Sequence, residues 1–215
     1  MFKNIFFDFD GTLFDTVFPI CEALNLTLKH FKISRNYDVK QTKRFIGKGS
    51  QILLKKALKN VNYKEEDIKN VLKFYIATQF KTHRKKCDPF NGIKETLKVL
   101  KAKKINLFIV TNKPRKILEP IIEKNLKNYF KEIISFDDVL TPKPSPEGCE
   151  YLIKKYRLKK EEIIFVGDSR VDQETAKNAN LKFACCTYGY DDYSKIKIAD
   201  KKFYINEPKE LLKLF

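Results

Sequence analysis

Apolar residues gather along the chain in six short β-rich runs: Asn4 to Phe9, Ile105 to Thr111, Glu132 to Phe136, Ile163 to Gly167, Lys182 to Thr187 and, more sparsely, Lys202 to Ile205. Amphipathic stretches separate them, and that alternation predicts βαβ units on a parallel sheet. The intervening helices carry start signals: Pro114 after Asn112, Ser145 and Pro146 before Glu147, and Asp172 before Glu174. A final helix is expected over Pro208 to Leu214.

The pattern changes between the first two runs. From about Asp15 to Asp88 the period is helical, with almost no strand signal. Within Lys64 to Lys86, the residues Ile68, Val71, Leu72, Tyr75, Ile76 and Phe80 share one helix face. The expected organisation is therefore an α/β body of residues 1–15 and 88–215 with an α-helical insertion, 16–87, placed after the first strand. Short hinges are expected near Thr16 and over Cys87 to Gly92, where Pro89 and Gly92 punctuate the chain.

A chain of 215 residues with 43% hydrophobic content is long enough to bury such a core. Its formal charge of +17 raises the idea of nucleic-acid or membrane-surface binding. The lysines are instead scattered, as in Lys55 and Lys56, Lys103 and Lys104, Lys154 and Lys155, and Lys159 and Lys160, in the manner of solvated helix faces. A positive field also draws small anionic substrates. Cys21, Cys87, Cys149, Cys185 and Cys186 show no zinc-finger or thioredoxin spacing and read as reduced thiols, with Cys185 and Cys186 as small apolar residues in a strand. No stretch has the length of a membrane helix or the form of a secretory signal, so a cytoplasmic protein is expected.

The candidate chemistry lies where strands stop. Asp8 and Asp10 follow the first run in Asp-Phe-Asp-Gly-Thr, and two carboxylates so placed call for a cation or a shared proton. Asp168 follows the fourth run, with Asp172 four residues on. A lone aspartate after a strand is most simply a helix cap, but here the cases accumulate. Thr111 and Asn112 end the second run, and Lys143 stands between Pro142 and Pro144, which stiffen its loop. A nucleophile, a metal ligand, a hydroxyl and a fixed cation are the parts of phosphoryl transfer.

In order and loop position these motifs resemble the haloacid dehalogenase-like superfamily of phosphatases, over nearly the whole chain. The resemblance implies a doubly wound parallel sheet, a Rossmann-like core of strand order 3-2-1-4-5, whose switch point brings Asp8, Thr111 and Asp168 together. It implies that Asp8 attacks phosphorus and that Asp10 serves as acid and then base. Mg2+ would be held by Asp8, the Asp10 backbone carbonyl and Asp168. Thr111, the Asn112 backbone N–H and Lys143 would bind phosphoryl oxygens, and Asp172 would orient metal-bound water or Lys143. Asp10 favours phosphate chemistry over halide displacement.

The helical insertion corresponds to a mobile cap. Its Arg44-Phe45-Ile46-Gly47-Lys48-Gly49 stretch reads equally as an ordinary interhelix turn and as a specificity loop in which Gly47 and Lys48 meet an anionic substrate tail. That turn and the Thr187-Tyr188-Gly189-Tyr190 run are similar to bacterial phosphoglycolate phosphatases in particular. A pyrophosphatase, a phosphosugar mutase, another phosphotransferase and a basic binding module remain alternatives. The mutase is less favoured because His30 and His83 lie in helical stretches, where both read as surface or packing residues. Arg170 could touch phosphate or pair with a neighbouring acid. The expected partner is a small phosphorylated metabolite, with neither nucleic acid nor membrane, and monomer and homodimer both remain open.

Overall fold

Strand β1 (Asn4–Phe7) is buried along its whole length, and its side chains alternate between two cores. Ile5 and Phe7 enter one apolar cluster, whereas Phe6 enters the other, against Phe108 and Phe165. This is the condition of a central parallel strand covered by helices on both faces. In the computed structural model, which describes residues 1–61, 65–85 and 87–215, five further strands join it.

These are β4 (Asn106–Val110), β5 (Glu132–Ile134), β6 (Ile163–Gly167), β7 (Lys182–Cys186) and β8 (Tyr204–Ile205), while β2 (Phe14–Asp15) and β3 (Asp88–Pro89) form a separate antiparallel pair. The main sheet runs β5-β4-β1-β6-β7-β8, all parallel. Counted along the core, the first five strands stand in the expected order 3-2-1-4-5, and the sparse sixth run adds an edge. The crossovers are α5 (Ile93–Ala102), α6 (Arg115–Asn125), α7 (Glu147–Tyr156) and α8 (Arg170–Asn178). Cys185 and Cys186 are buried in β7, and all five cysteines are free and buried.

The stretch leading out of β1 departs from expectation. The strand stops at Phe7, and the chain folds into a turn in which Phe9 and Phe14 stack with ring centroids 4.6 Å apart. The amide of Asp8 still donates to the Val166 carbonyl at 2.9 Å. The chain then runs through β2 into α1 (Val17–His30), α2 (Val39–Lys43), α3 (Gly49–Ala57) and α4 (Glu65–Lys85). Helices α1, α3 and α4 share a cluster of their own around Ile20, Leu24, Leu54, Val71 and Tyr75. Lys64 and Lys86, the ends of the expected helical stretch, lie outside the described residues. Asp38 caps α2 through a reciprocal capping box with Gln41.

The expected final helix over Pro208 to Leu214 is present, as a 3-10 helix. One local expectation needs correction. The start of α8 lies at Ser169, whose hydroxyl bonds the Asp172 carboxylate at 2.6 Å, so Asp172 closes a capping box from the third helical position.

Phe108 packs edge-on against Phe6 and Tyr156, with centroids 5.4 and 5.0 Å away. Phe108→Ala is expected to cost about 3–5 kcal/mol, read as a lower urea midpoint with an unchanged m-value.

Candidate active site

Three loops at the carboxyl ends of β1, β4 and β6 converge, as the reversal of strand order requires of an open α/β sheet. Asp8 follows β1, Thr111 and Asn112 follow β4, and Asp168 follows β6; all four are buried. Lys143 comes from the loop after β5. Its ammonium donates to Asp8 Oδ1 at 2.6 Å and to Asp172 Oδ1 at 2.7 Å.

Lys143 is fixed by more than its prolines. The Asn112 side chain accepts from the Lys143 amide and donates to the Lys143 carbonyl, both at 2.9 Å. The same amide group donates to the Gly47 carbonyl at 3.1 Å, so Asn112 joins the sheet, the lysine loop and the helical segment. Gly47 itself has φ of 106°, which fits a turn.

Carboxylate oxygens of Asp8, Asp168 and Asp172 lie within 4.8 Å of one another. Burial, then the Asp172 charge, push the Asp8 carboxyl up to about 7 against the opposing pull of Lys143. Burial, then the charges of Asp172 and Asp8, raise Asp168 well above its ordinary value, and Asp172 together with Asp8 raises the Lys143 ammonium against its own desolvation. One ammonium among three buried carboxylates leaves a surplus of hard oxygen donors, which suits a small divalent cation. Asp168 has little room to move. Tyr190 donates its amide to Asp168 Oδ2 at 2.6 Å, and a Cβ on Gly11 or Gly189 would come within 2.3 or 2.2 Å of the Asp168 side chain.

Asp10 faces elsewhere. Its Oδ1 accepts from Lys113 Nζ at 2.8 Å. Burial would raise this carboxyl, but the Lys113 ammonium, with help from Thr16, holds it below the ordinary value. Lys113 also lies 3.2 Å from His83 Nε2, and His83 Nδ1 lies 2.9 Å from the Gln79 carbonyl. A carbonyl only accepts and an ammonium only donates, so the proton sits on Nδ1 and Nε2 accepts from Lys113. Burial, reinforced by Lys113, pushes this imidazole down to about 3, so it is neutral.

Lys113 did not stand out among 44 lysines and arginines. A signal existed, because it directly precedes a proline, as Lys143 does, in the loop that follows β4. His83, read from sequence as a surface or packing residue, is buried but has a polar role. It shares a helix face with buried Tyr75, Gln79 and Thr82, and polar residues on such a face mark an interior contact. His30 stacks on Phe74. Arg170 pairs with Asp191, the second of the two uses open to it.

A cleft of about 640 Å³ opens beside these groups, lined by Asp10 and Asp168 on one side and by Lys40, Lys43, Arg44, Lys48 and Lys56 on the other. A recess of about 30 Å³ continues past Gly47 to Asp8, Thr111 and Asn112. That is about the share of one liquid water, so the recess is far narrower than the cleft beside it.

This arrangement belongs to a known class. The haloacid dehalogenase-like hydrolase family model matches residues 5–186, and the chain belongs to that family of enzymes. It is 33% identical over 213 residues to the phosphoglycolate phosphatase of Aquifex aeolicus, covering 99% of this chain and 96% of the relative. Phosphoglycolate phosphatase 1 of Pseudomonas aeruginosa is 30% identical over 215 residues, with 98% and 78% covered. The crystal structure of a predicted phosphoglycolate phosphatase from Haemophilus somnus 129PT superposes with a TM-score of 0.86 at 28% identity, covering 99% of this chain and 97% of that one. The chain is thus a phosphoglycolate phosphatase-like hydrolase. Among the described residues no helix is long and apolar enough to cross a membrane.

The raised Asp8 carboxyl has a consequence for stability. The folded group keeps its proton up to about 7, whereas the unfolded one releases it near 3.8. Between those values the unfolded state binds fewer protons, so stability falls as pH rises. In chelator, Tm is expected to decline from pH 4 to pH 7, and Asp8→Asn should flatten the decline.

Proposed function

We propose that the protein is a Mg2+-dependent phosphatase that hydrolyses a small phosphorylated acid, 2-phosphoglycolate, through a phosphoaspartyl intermediate at Asp8. The observation that carries this reading is the buried ammonium of Lys143 joining Asp8 to Asp172, with Asp168 beside them at the switch point of the sheet.

Asp8, Asp168 and the Asp10 backbone carbonyl hold Mg2+ in this reading, with Asp172 adjoining. When bound, the cation offsets the negative charge gathered by the carboxylates and the phosphoryl oxygens. Asp8 attacks phosphorus as the bond to the ester oxygen breaks. Lys143, the Thr111 hydroxyl and the Asn112 backbone N–H receive the phosphoryl oxygens. Asp10 gives a proton to the departing alcohol. That proton enters with the ester, because a phosphate monoester titrates near about 6. Asp10, ionised again, then takes a proton from water as the water oxygen attacks phosphorus, which releases phosphate and restores Asp8.

Residues 16–87 act as a cap over the body formed by 1–15 and 88–215. The Gly47 turn closes the recess, and Lys48 with its cationic neighbours faces the carboxylate of the substrate. The named relatives support phosphoglycolate over the wider range of phosphate esters.

The test is phosphate release from phosphoglycolate, a hexose phosphate, pyrophosphate and a nucleotide. Phosphoglycolate should be preferred, chelator should abolish turnover, and Asp8→Asn should be folded yet at least about 10³-fold slower, as expected when a covalent nucleophile is lost. Turnover by Asp8→Asn at the parental rate would overturn the mechanism. Because Mg2+ displaces protons from carboxyls with raised pKa, it should lift Tm more at pH 8 than at pH 6.

A further inference from the structure

Lys113 makes a buried contact that the chemistry above leaves without a purpose. Its side chain is 2% exposed, and lysine rarely accepts such burial without partners. Both ends of the residue are anchored. Its amide donates to Thr111 Oγ1 at 3.3 Å, and its carbonyl accepts from the Phe136 amide at 3.2 Å. The ammonium donates to Asp10 and to neutral His83, and it also lies 5.5 Å from the centroid of the Phe9 ring. The Gln79 carbonyl holds the imidazole so that only Nε2 faces Lys113.

We propose that Lys113 is a positioning residue that binds one oxygen of Asp10 and so aims the other at the ester oxygen, with His83 of helix α4 steering the lysine. This inference rests on the reading of Asp10 as acid and base. It assigns His83 and Lys113, from the helical segment and the sheet respectively, to the same proton-transfer step. A structural ion pair would require only that opposite charges meet. The His83 acceptor, itself fixed by a backbone carbonyl, adds a direction to the ammonium that charge neutralisation does not need.

The choice of leaving group separates these roles. Departure of an alkyl alcohol needs a well-aimed acid, whereas p-nitrophenolate leaves without one. The kcat/KM value reports events up to transfer onto Asp8, and it therefore isolates this departure from the later attack of water.

The experiment compares kcat/KM for 2-phosphoglycolate and p-nitrophenyl phosphate in the parent, Asp10→Asn, Lys113→Met, Lys113→Arg, His83→Gln, His83→Leu and the Asp10→Asn/Lys113→Met double variant. General acid catalysis is worth about 10²–10⁴-fold. Lys113→Met is expected to lose at least about tenfold on the alkyl ester and little on the aryl ester. Lys113→Arg should recover part of that loss, and His83→Gln, which keeps an acceptor, should exceed His83→Leu. In the Asp10→Asn background, Lys113→Met should cost nothing further.

Equal losses on both esters, a faster alkyl reaction, or additive losses in the double variant would overturn the proposal. The double variant keeps the comparison decisive if Lys113→Met alone folds poorly, because it removes both charges of the buried pair. If Asp10→Asn itself shows no preference between leaving groups, the reading of Asp10 fails, and this inference fails with it. A preference in Asp10→Asn without one in Lys113→Met fails this inference alone.

Discussion

The ammonium of Lys143 is the interaction on which the rest of the site depends. It stands between two carboxylates, Asp8 and Asp172, with a third, Asp168, close by, and all four groups are buried. Removing one partner from a buried ion pair leaves an uncompensated charge, which costs about 3–5 kcal/mol. The surrounding structure accordingly restricts every member. Asn112 clamps the lysine backbone at two points, Ser169 holds the free oxygen of Asp172, and the Tyr190 amide holds Asp168. The glycines at 11 and 189 are part of the same restriction, because any side chain there would occupy the volume of Asp168.

Tyr190 extends this arrangement to the helical segment. Its backbone touches Asp168, while its hydroxyl accepts from the Thr16 and Val17 amides at 2.5 and 3.0 Å and bonds Asp15 Oδ1 at 2.9 Å. A single residue therefore contacts a carboxylate of the acidic cluster and the start of α1. On the opposite side, Asn112 reaches Gly47. The helical segment is thus tied to the sheet at its root and at its turn, and between those points runs the cleft with its wall of lysines.

Much of this could be read from the chain. The β-rich runs marked the strands, and the carboxylates at strand ends acquired meaning once their order brought Asp8, Thr111 and Asp168 to one place. Other features depended on distances no linear pattern carries. That Asp10 turns to Lys113 follows from the tight turn at Gly11 and from the burial of the Asn-Lys-Pro loop, which is set by packing on α4. The reciprocal cap of Ser169 and Asp172 was misplaced because Asp172 itself resembles a capping residue. The apolar pattern marked a helix over Pro208 to Leu214 but not its 3-10 form, because the hydrogen-bond period is not written in the spacing of so few residues.

The amide of Asp8 remains within the hydrogen-bond ladder, bonded to Val166, even though the strand has formally ended one residue earlier. Its backbone is therefore immobilised by the sheet and not by the ligand. Ordering a residue costs about 1–2 kcal/mol of conformational entropy, and here that cost is met once, during folding, instead of in every turnover. Under the proposed reading of the helical segment as a cap, the freedom required for access and the rigidity of the attacking residue's backbone would reside in different parts of the chain.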